Sequence, residues 1–300
     1  MNNAGRQHGV QYRCVLVPID GSERSAIALR SGRSLAARLG ATLHTVGVAR
    51  ESGGLDAMRA AAALALELPP DDLRIHAVVG DDPATAIAVL ADQLGSCIIC
   101  MSTHARGRFS GSVLGSTARE LLRREDRPVL LVGPIADRPA FMGDAWTAAL
   151  EIGRVVVCVD AERSDAEVAT PGVSAAVVGL AAQWALALGM SLTIVHVAPP
   201  FFPLSDGVVP EESQLWLAHL ARTAAVPGLV VDTHLESDPI GVVDGIRTHL
   251  HAHPAGLVVV AAHARTGVDR VLHGATAAGI TAASNVATLV LPLRTTGAQP

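Results

Sequence analysis

The strongest constraint on this chain is that it is written twice. "VLVPIDGSERS" (15–25) returns as "VVVCVDAERS" (155–164), each an apolar run ending in an aspartate, Asp20 or Asp160. "RLGATLHTVGV" (38–48) returns as "ALGMSLTIVHV" (187–197), and "GDDPATAIAVLADQL" (80–94) as "ESDPIGVVDGIRTHL" (236–250). A fourth pair joins "THARGRFSGSVLGST" (103–117) to "AHARTGVDRVLHGAT" (262–276). The offset grows along the chain, as it does when the second copy carries longer loops. Four matches in one order imply a duplicated unit, and 300 residues suit two domains of roughly 150. A Pro- and Gly-punctuated stretch (133–153) marks the junction, which sets the domains at 1–137 and 150–300.

Within each half, apolar strand-length runs alternate with helical periodicity. Strands are expected at 15–19, 42–48, 74–79, 97–102 and 128–133, and again at 155–159, 192–197, 230–235, 256–262 and 287–293. Helices are expected after the first strand, stopping at Gly40 and Gly189, at 83–94 and 239–251, and at 117–125 and 276–284. Five strands with four helices per half predict an α/β fold of two tandem, doubly wound, five-stranded parallel sheets. Ligands bind such sheets beyond the strands' carboxyl ends. Asp20, Val48, Gly80 and the loop after Met101 and Ser102 should therefore converge. The runs 128–133 and 287–293 each close a half, and as edge strands they are expected to pair the halves into a pseudo-dimer. A homodimer of whole chains would be a further level of the same pairing.

Composition narrows the chemistry. All 23 basic residues are arginine, which removes every mechanism that needs a lysine, from the Walker A loop to a Schiff base. A net charge of −5 and 3% aromatics exclude a basic, base-stacking surface, so no nucleic-acid partner is expected. No apolar run approaches the ~18 residues that span a membrane, and the polar opening "MNNAGRQHGVQYR" lacks the core of a signal peptide, so a cytoplasmic location is expected. "CIIC" (97–100) imitates a metal or redox motif, but residues three apart in a strand face opposite ways, so Cys97 and Cys100 read as core.

The loop "THARGRFSGSVLGST" leads into "STARE", where Thr117 and Glu120 fit a capping box. The amides of Ser116, Thr117 and Ala118 would then face an anion at a helix N-terminus, Gly115 would let a phosphate approach, and Arg106 would assist. With its lysines absent, the chain would hold phosphate by backbone amides and arginine.

The sequence resembles the universal stress protein family in its tandem two-domain form. The resemblance rests on "VPIDGSERS", "RPVLLVG" and a nucleotide loop of glycine, two residues, glycine, nine residues, glycine, then Ser or Thr. Ser102, Ala105, Gly115 and Ser116 occupy those positions here, so both leading glycines are replaced. The resemblance implies the adenine nucleotide alpha hydrolase-like variant of the Rossmann architecture and an ATP ligand, with Mg²⁺ beside it and AMP or a related adenine nucleotide as alternatives. It implies that Pro18, Ile19 and Asp20 face the adenine, with Val48 against the base. Ser102 and Ala105 would lie near the ribose and phosphate, and Gly115, Ser116 and Thr117 on the phosphates. In the second half the series is Ala261, Ala264, Gly274, Ala275 and Thr276, a weaker site. The function implied is a stress-response protein that acts by binding nucleotide and signalling, without catalytic residues. Two rivals stand beside it: a non-binding scaffold that works through protein contacts, and a weak ATP-hydrolysing enzyme.

Three other motifs read as structural. "SGGLDA" (52–57) reads as a glycine-rich turn. His104 and His263 read as loop-shaping residues. His249 and His253, one turn apart, read as a helix end with no third ligand fixed nearby, so no metal is expected.

Overall fold

A computed structural model describes residues 12–67, 74–103, 114–133, 153–159, 173–198, 211–263, 277–282 and 284–293. The first half contributes β1 (Cys14–Ile19), β2 (Thr42–Ala49), β3 (Ile75–Val79), β4 (Cys97–Ser102) and β5 (Val129–Val132). The second contributes β6 (Arg154–Val159), β7 (Ser191–Ala198), β8 (Val231–Ser237), β9 (Leu257–His263) and β10 (Thr288–Leu293). Helices α1 (Glu23–Leu39), α2 (Ser52–Leu66), α3 (Pro83–Leu94) and α4 (Ser116–Arg124) belong to the first half. Helices α5 (Val173–Leu188), α6 (Glu211–Ala224) and α7 (Val242–Ala252) belong to the second, which also has a helical segment at 277–282.

All ten strands form one sheet in the order β3-β2-β1-β4-β5-β10-β9-β6-β7-β8. Each half thus has the doubly wound order, with the direction of winding across the sheet reversing between its first and fourth strands. Neighbours are parallel throughout, except that β5 and β10 run antiparallel with Leu130 opposite Leu289. The two edge strands marked in the sequence are therefore the seam between the halves. Of the helices, α2 and its second-half counterpart α6 were not located by the sequence pattern. Helix α2 begins at Ser52, so "SGGLDA" is the first turns of a helix, a correction to the reading as a loop turn.

The strands read as continuous apolar runs because both faces are covered. Val15, Leu16 and Val17 are fully buried, alternating between two core layers. One layer lies under α1, α2, α5 and α6, the other under α3, α4, α7 and 277–282. Cys100 belongs to the first layer, where its thiol reaches the Ala28 carbonyl at 3.4 Å, and Cys97 to the second, beside Cys14. The two sulfurs of "CIIC" diverge accordingly. Among the described residues no helix is long and apolar enough to cross a membrane.

Helix α1 starts where Ser22 caps it, its hydroxyl oxygen accepting from the Ser25 amide at 3.2 Å. It then lies close against β1, because Gly32 brings the helix within van der Waals range of Val17; a methyl there would sit 2.5 Å from the valine. Contacts across the seam go beyond the strand ladder. Tyr12 stacks on Trp184 with centroids 5.5 Å apart, and the Arg38 guanidinium donates to the Leu188 carbonyl at 3.3 Å. Gly133, just past β5, packs directly against the Thr281 carbonyl oxygen of the other half.

Two outcomes follow for thermal unfolding. Gly133→Ala drives a methyl into a backbone carbonyl and should cost about 1–3 kcal/mol, whereas Gly53→Ala, with open space around it, should be neutral or stabilising. Ser22→Ala removes the α1 cap and should cost about 1 kcal/mol. An unchanged midpoint in Gly133→Ala would show that the seam yields at that point.

Candidate functional site

The carboxyl ends of β1, β2 and β4 open into a cavity of about 230 Å³ at the switch point between β1 and β4. Its wall is apolar: Pro18 and Ile19 from β1, Val46 and Val48 from β2, Met101 from β4, and Ile87 from α3. Val46, Ile87 and Met101 are buried, whereas Pro18 and Val48 are half-buried. The polar groups lie at the rim. Asp20, immediately after β1, accepts at Oδ1 from the Ser22 amide (2.9 Å) and hydroxyl (2.5 Å). The serine that caps α1 thus also holds the aspartate, a coupling of helix start to site rim.

The opposite rim is the start of α4. Ser102 and Thr103 end β4, and the Thr103 amide donates to the Val132 carbonyl at 3.1 Å. The Gly115 amide donates to the Thr103 carbonyl at 2.6 Å, so the chain leaves and rejoins the cavity wall at one point. Gly115 is the cap residue of α4, and among the described residues no side chain caps the amides of that first turn. The capping box expected from Thr117 and Glu120 does not form. The helix starts at Ser116, two residues earlier than that motif requires, which puts Thr117 inside the first turn. Glu120 turns instead to Arg123 (2.6 Å) and Arg124, and the Arg123 bond holds its carboxyl below the usual carboxylate range. The consequence is a helix mouth whose amides have no side-chain acceptor among the described residues.

Helix α3 is anchored to the same rim. Asp82 accepts from the Thr85 amide (3.1 Å) and hydroxyl (2.6 Å), and these bonds lower its pKa. Arg124 then donates to the Thr85 hydroxyl at 2.8 Å, tying the end of α4 to the start of α3. Pro83 and Ile87 are held against the cavity by this arrangement.

The predicted residues divide as follows. Pro18, Ile19, Asp20, Val48, Met101, Ser102, Gly115 and Thr117 line the one cavity. Ser116 is exposed at the head of α4, and Gly80 lies beside β2, its amide on the Ala49 carbonyl at 3.0 Å; neither lines the cavity. Ala105, Arg106, His104 and, in the second half, Asp160, Ala264, Gly274, Ala275 and Thr276 lie outside the described residues. Ala118, whose amide was expected to face an anion, also lines the cavity, whereas sequence reasoning missed Ser25, Val46 and Thr103, together with Pro83 and Ile87 from α3. Val46 was within reach of the pattern, because it shares a strand face with Val48.

In the second half the valine matching Val48 is Val197, which is only 4% exposed. It packs under α7 at Gly245, where an added methyl would lie 2.6 Å from it. Val243 likewise presses on Gly279. The base-packing position is thus filled by protein in this half. Elsewhere in this half His234 and Glu236 stand beside His249 and His253, so the expectation of no further ligand there is corrected.

No curated protein matches the chain at a significant level. A solved structure of a functionally unknown protein from Pseudomonas aeruginosa PAO1 shares the fold, with 21% identity, TM-score 0.63, and 94% of this chain and 92% of that one covered. A universal stress protein from Archaeoglobus fulgidus DSM 4304 does so with 18% identity, TM-score 0.60, and coverage of 94% and 99%. Residues 11–133 match the model of the universal stress protein family. That segment carries β1 to β5 and the whole cavity, so it is the first half of the chain that matches the universal stress protein family.

Proposed function

We propose that the chain is a cytoplasmic regulatory protein that binds one adenine nucleotide, ATP foremost, in its first half, and works through binding rather than turnover. The observation that carries this is the pairing of an apolar slot with an uncapped helix N-terminus on one cavity rim. An adenine ring needs flat apolar contact, which Val48, Val46 and Met101 offer. Phosphates need donors, which the α4 amides offer together with the helix dipole. At about 230 Å³ the cavity falls below the ~300–1,000 Å³ of pockets for drug-sized ligands. It therefore takes the nucleoside and leaves the phosphates at the open helix mouth. Ser102 sits between the two parts, where a hydroxyl can meet the ribose. Mg²⁺ would accompany the phosphates. The family of the first half fits the same reading, and the packed-in Val197 favours a single site per chain.

Calorimetry or native mass spectrometry of the whole chain tests this directly. The expected result is one ATP per chain at roughly micromolar affinity, about −8 kcal/mol. No mass shift in excess ATP, AMP or ADP would leave a scaffold that works through protein contacts.

Gly115→Asp separates ligand binding from folding. The backbone there, φ −63° and ψ 160°, accepts any residue, and aspartate caps helices at least as well as glycine. Its carboxylate would occupy the amides and repel phosphate. The midpoint of unfolding should hold or rise while ATP affinity falls more than about tenfold. Undiminished ATP binding in this variant would remove α4 as the phosphate site.

A further inference from the structure

Three histidines from two elements meet beside the last strand of the sheet. His234 and Glu236 are two residues apart in β8, so they share a face. His249 and His253 follow one another by a helical turn at the end of α7, and the His253 amide donates to the His249 carbonyl at 2.7 Å. The three ring centroids lie 4.8, 4.8 and 5.0 Å apart, and one ligating nitrogen from each lies within 4.8 Å of the others.

His249 holds the arrangement together. Its side chain is completely buried, and its Nδ1 lies 2.8 Å from Glu236 Oε1. With Nδ1–H donating to that carboxylate, the tautomer is set and Nε2 keeps its lone pair. That Nε2 is buried and has no hydrogen-bond partner among the described residues. A buried acceptor left unpaired costs free energy. A carboxylate fixing one nitrogen of an imidazole while the other stays open is how proteins orient metal-binding histidines.

We propose that His234, His249 and His253 form a binding site for a divalent first-row transition-metal ion, Zn²⁺ foremost. Three imidazoles with no thiolate favour zinc, copper, nickel or cobalt over calcium and magnesium, which prefer oxygen. A tetrahedral ion with Zn–N bonds of about 2.0–2.1 Å holds its nitrogens about 3.3 Å apart. His249 stays fixed, while half-buried His234 and exposed His253 close in by roughly 1–1.5 Å to meet that geometry. The fourth position opens to water. The site belongs to the second half alone, since the matching helix α3 has no histidine. It is also separate from the cavity: β8 is seven strand places from β1, roughly 34 Å along the sheet.

The experiment uses the whole chain without a histidine tag, stripped with chelator and titrated with Co²⁺, then Zn²⁺. The expected result is one ion per chain at micromolar affinity or tighter, with the visible absorption of tetrahedral Co²⁺. His234→Ala and His253→Ala should each weaken binding at least about 100-fold. His251→Ala, exposed on the same helix and outside the cluster, should leave it unchanged. The first two variants alter side chains open to solvent, and their metal-free unfolding midpoints show whether the fold is kept. Absence of Co²⁺ and Zn²⁺ binding at roughly 100 µM metal would overturn the site, as would binding unmoved by His253→Ala.

Discussion

A parallel strand can be followed by another only if the chain crosses back over one face of the sheet. Most of this molecule follows from that requirement. The crossovers cover both faces, so the strands are apolar on both sides, and Leu16 and Val17 are equally buried in different layers. Little polar chemistry can be housed inside such a sheet. It is pushed to the strand ends, where Asp20 and Ser102 follow β1 and β4 at the one place where neighbouring crossovers diverge. The location of the cavity is a consequence of topology before it is a property of any residue.

The local chemistry then depends on how helices begin. Three helix starts surround the cavity, and each is solved differently. Ser22 caps α1 while holding Asp20, Asp82 caps α3, and α4 begins on Gly115 with no side chain at its amides. A chain without lysine has backbone amides and arginine with which to hold an anion, and of the three helix starts at the cavity only that of α4 lacks a side-chain cap. The cluster around His249 shows the same logic at a distance: a buried polar atom without a partner asks for a ligand, and the carboxylate of Glu236 specifies which ring nitrogen is open.

Much of this could be read from the sequence, for identifiable reasons. Strands buried on both faces are apolar runs bounded by turns, and these were placed to within a residue or two; α3 was placed without error. The C-terminal ends of β1, β2 and β4 follow from those positions, so Pro18, Asp20, Val48, Met101 and Ser102 could be named together. What was illegible depended on three-dimensional approach. Pro83 and Ile87 reach the cavity through the packing of α3 on the sheet, which no local motif reveals. The capping box failed because Gly115 set the helix start, which a four-residue motif does not reveal. His234 lies fifteen residues before His249, and only the packing of α7 on β8 makes them neighbours.

The antiparallel seam has a geometric consequence for the whole molecule. Because β5 and β10 run in opposite senses, every strand of one half points against every strand of the other. The carboxyl-end rim of a parallel sheet therefore appears twice, once at each margin of the ten-stranded plane. An occupant of one margin has its back to the other, so two molecules engaging the two halves meet no steric rivalry. Any communication between them has to pass through the body of the protein, where Gly133 packs closely against Thr281.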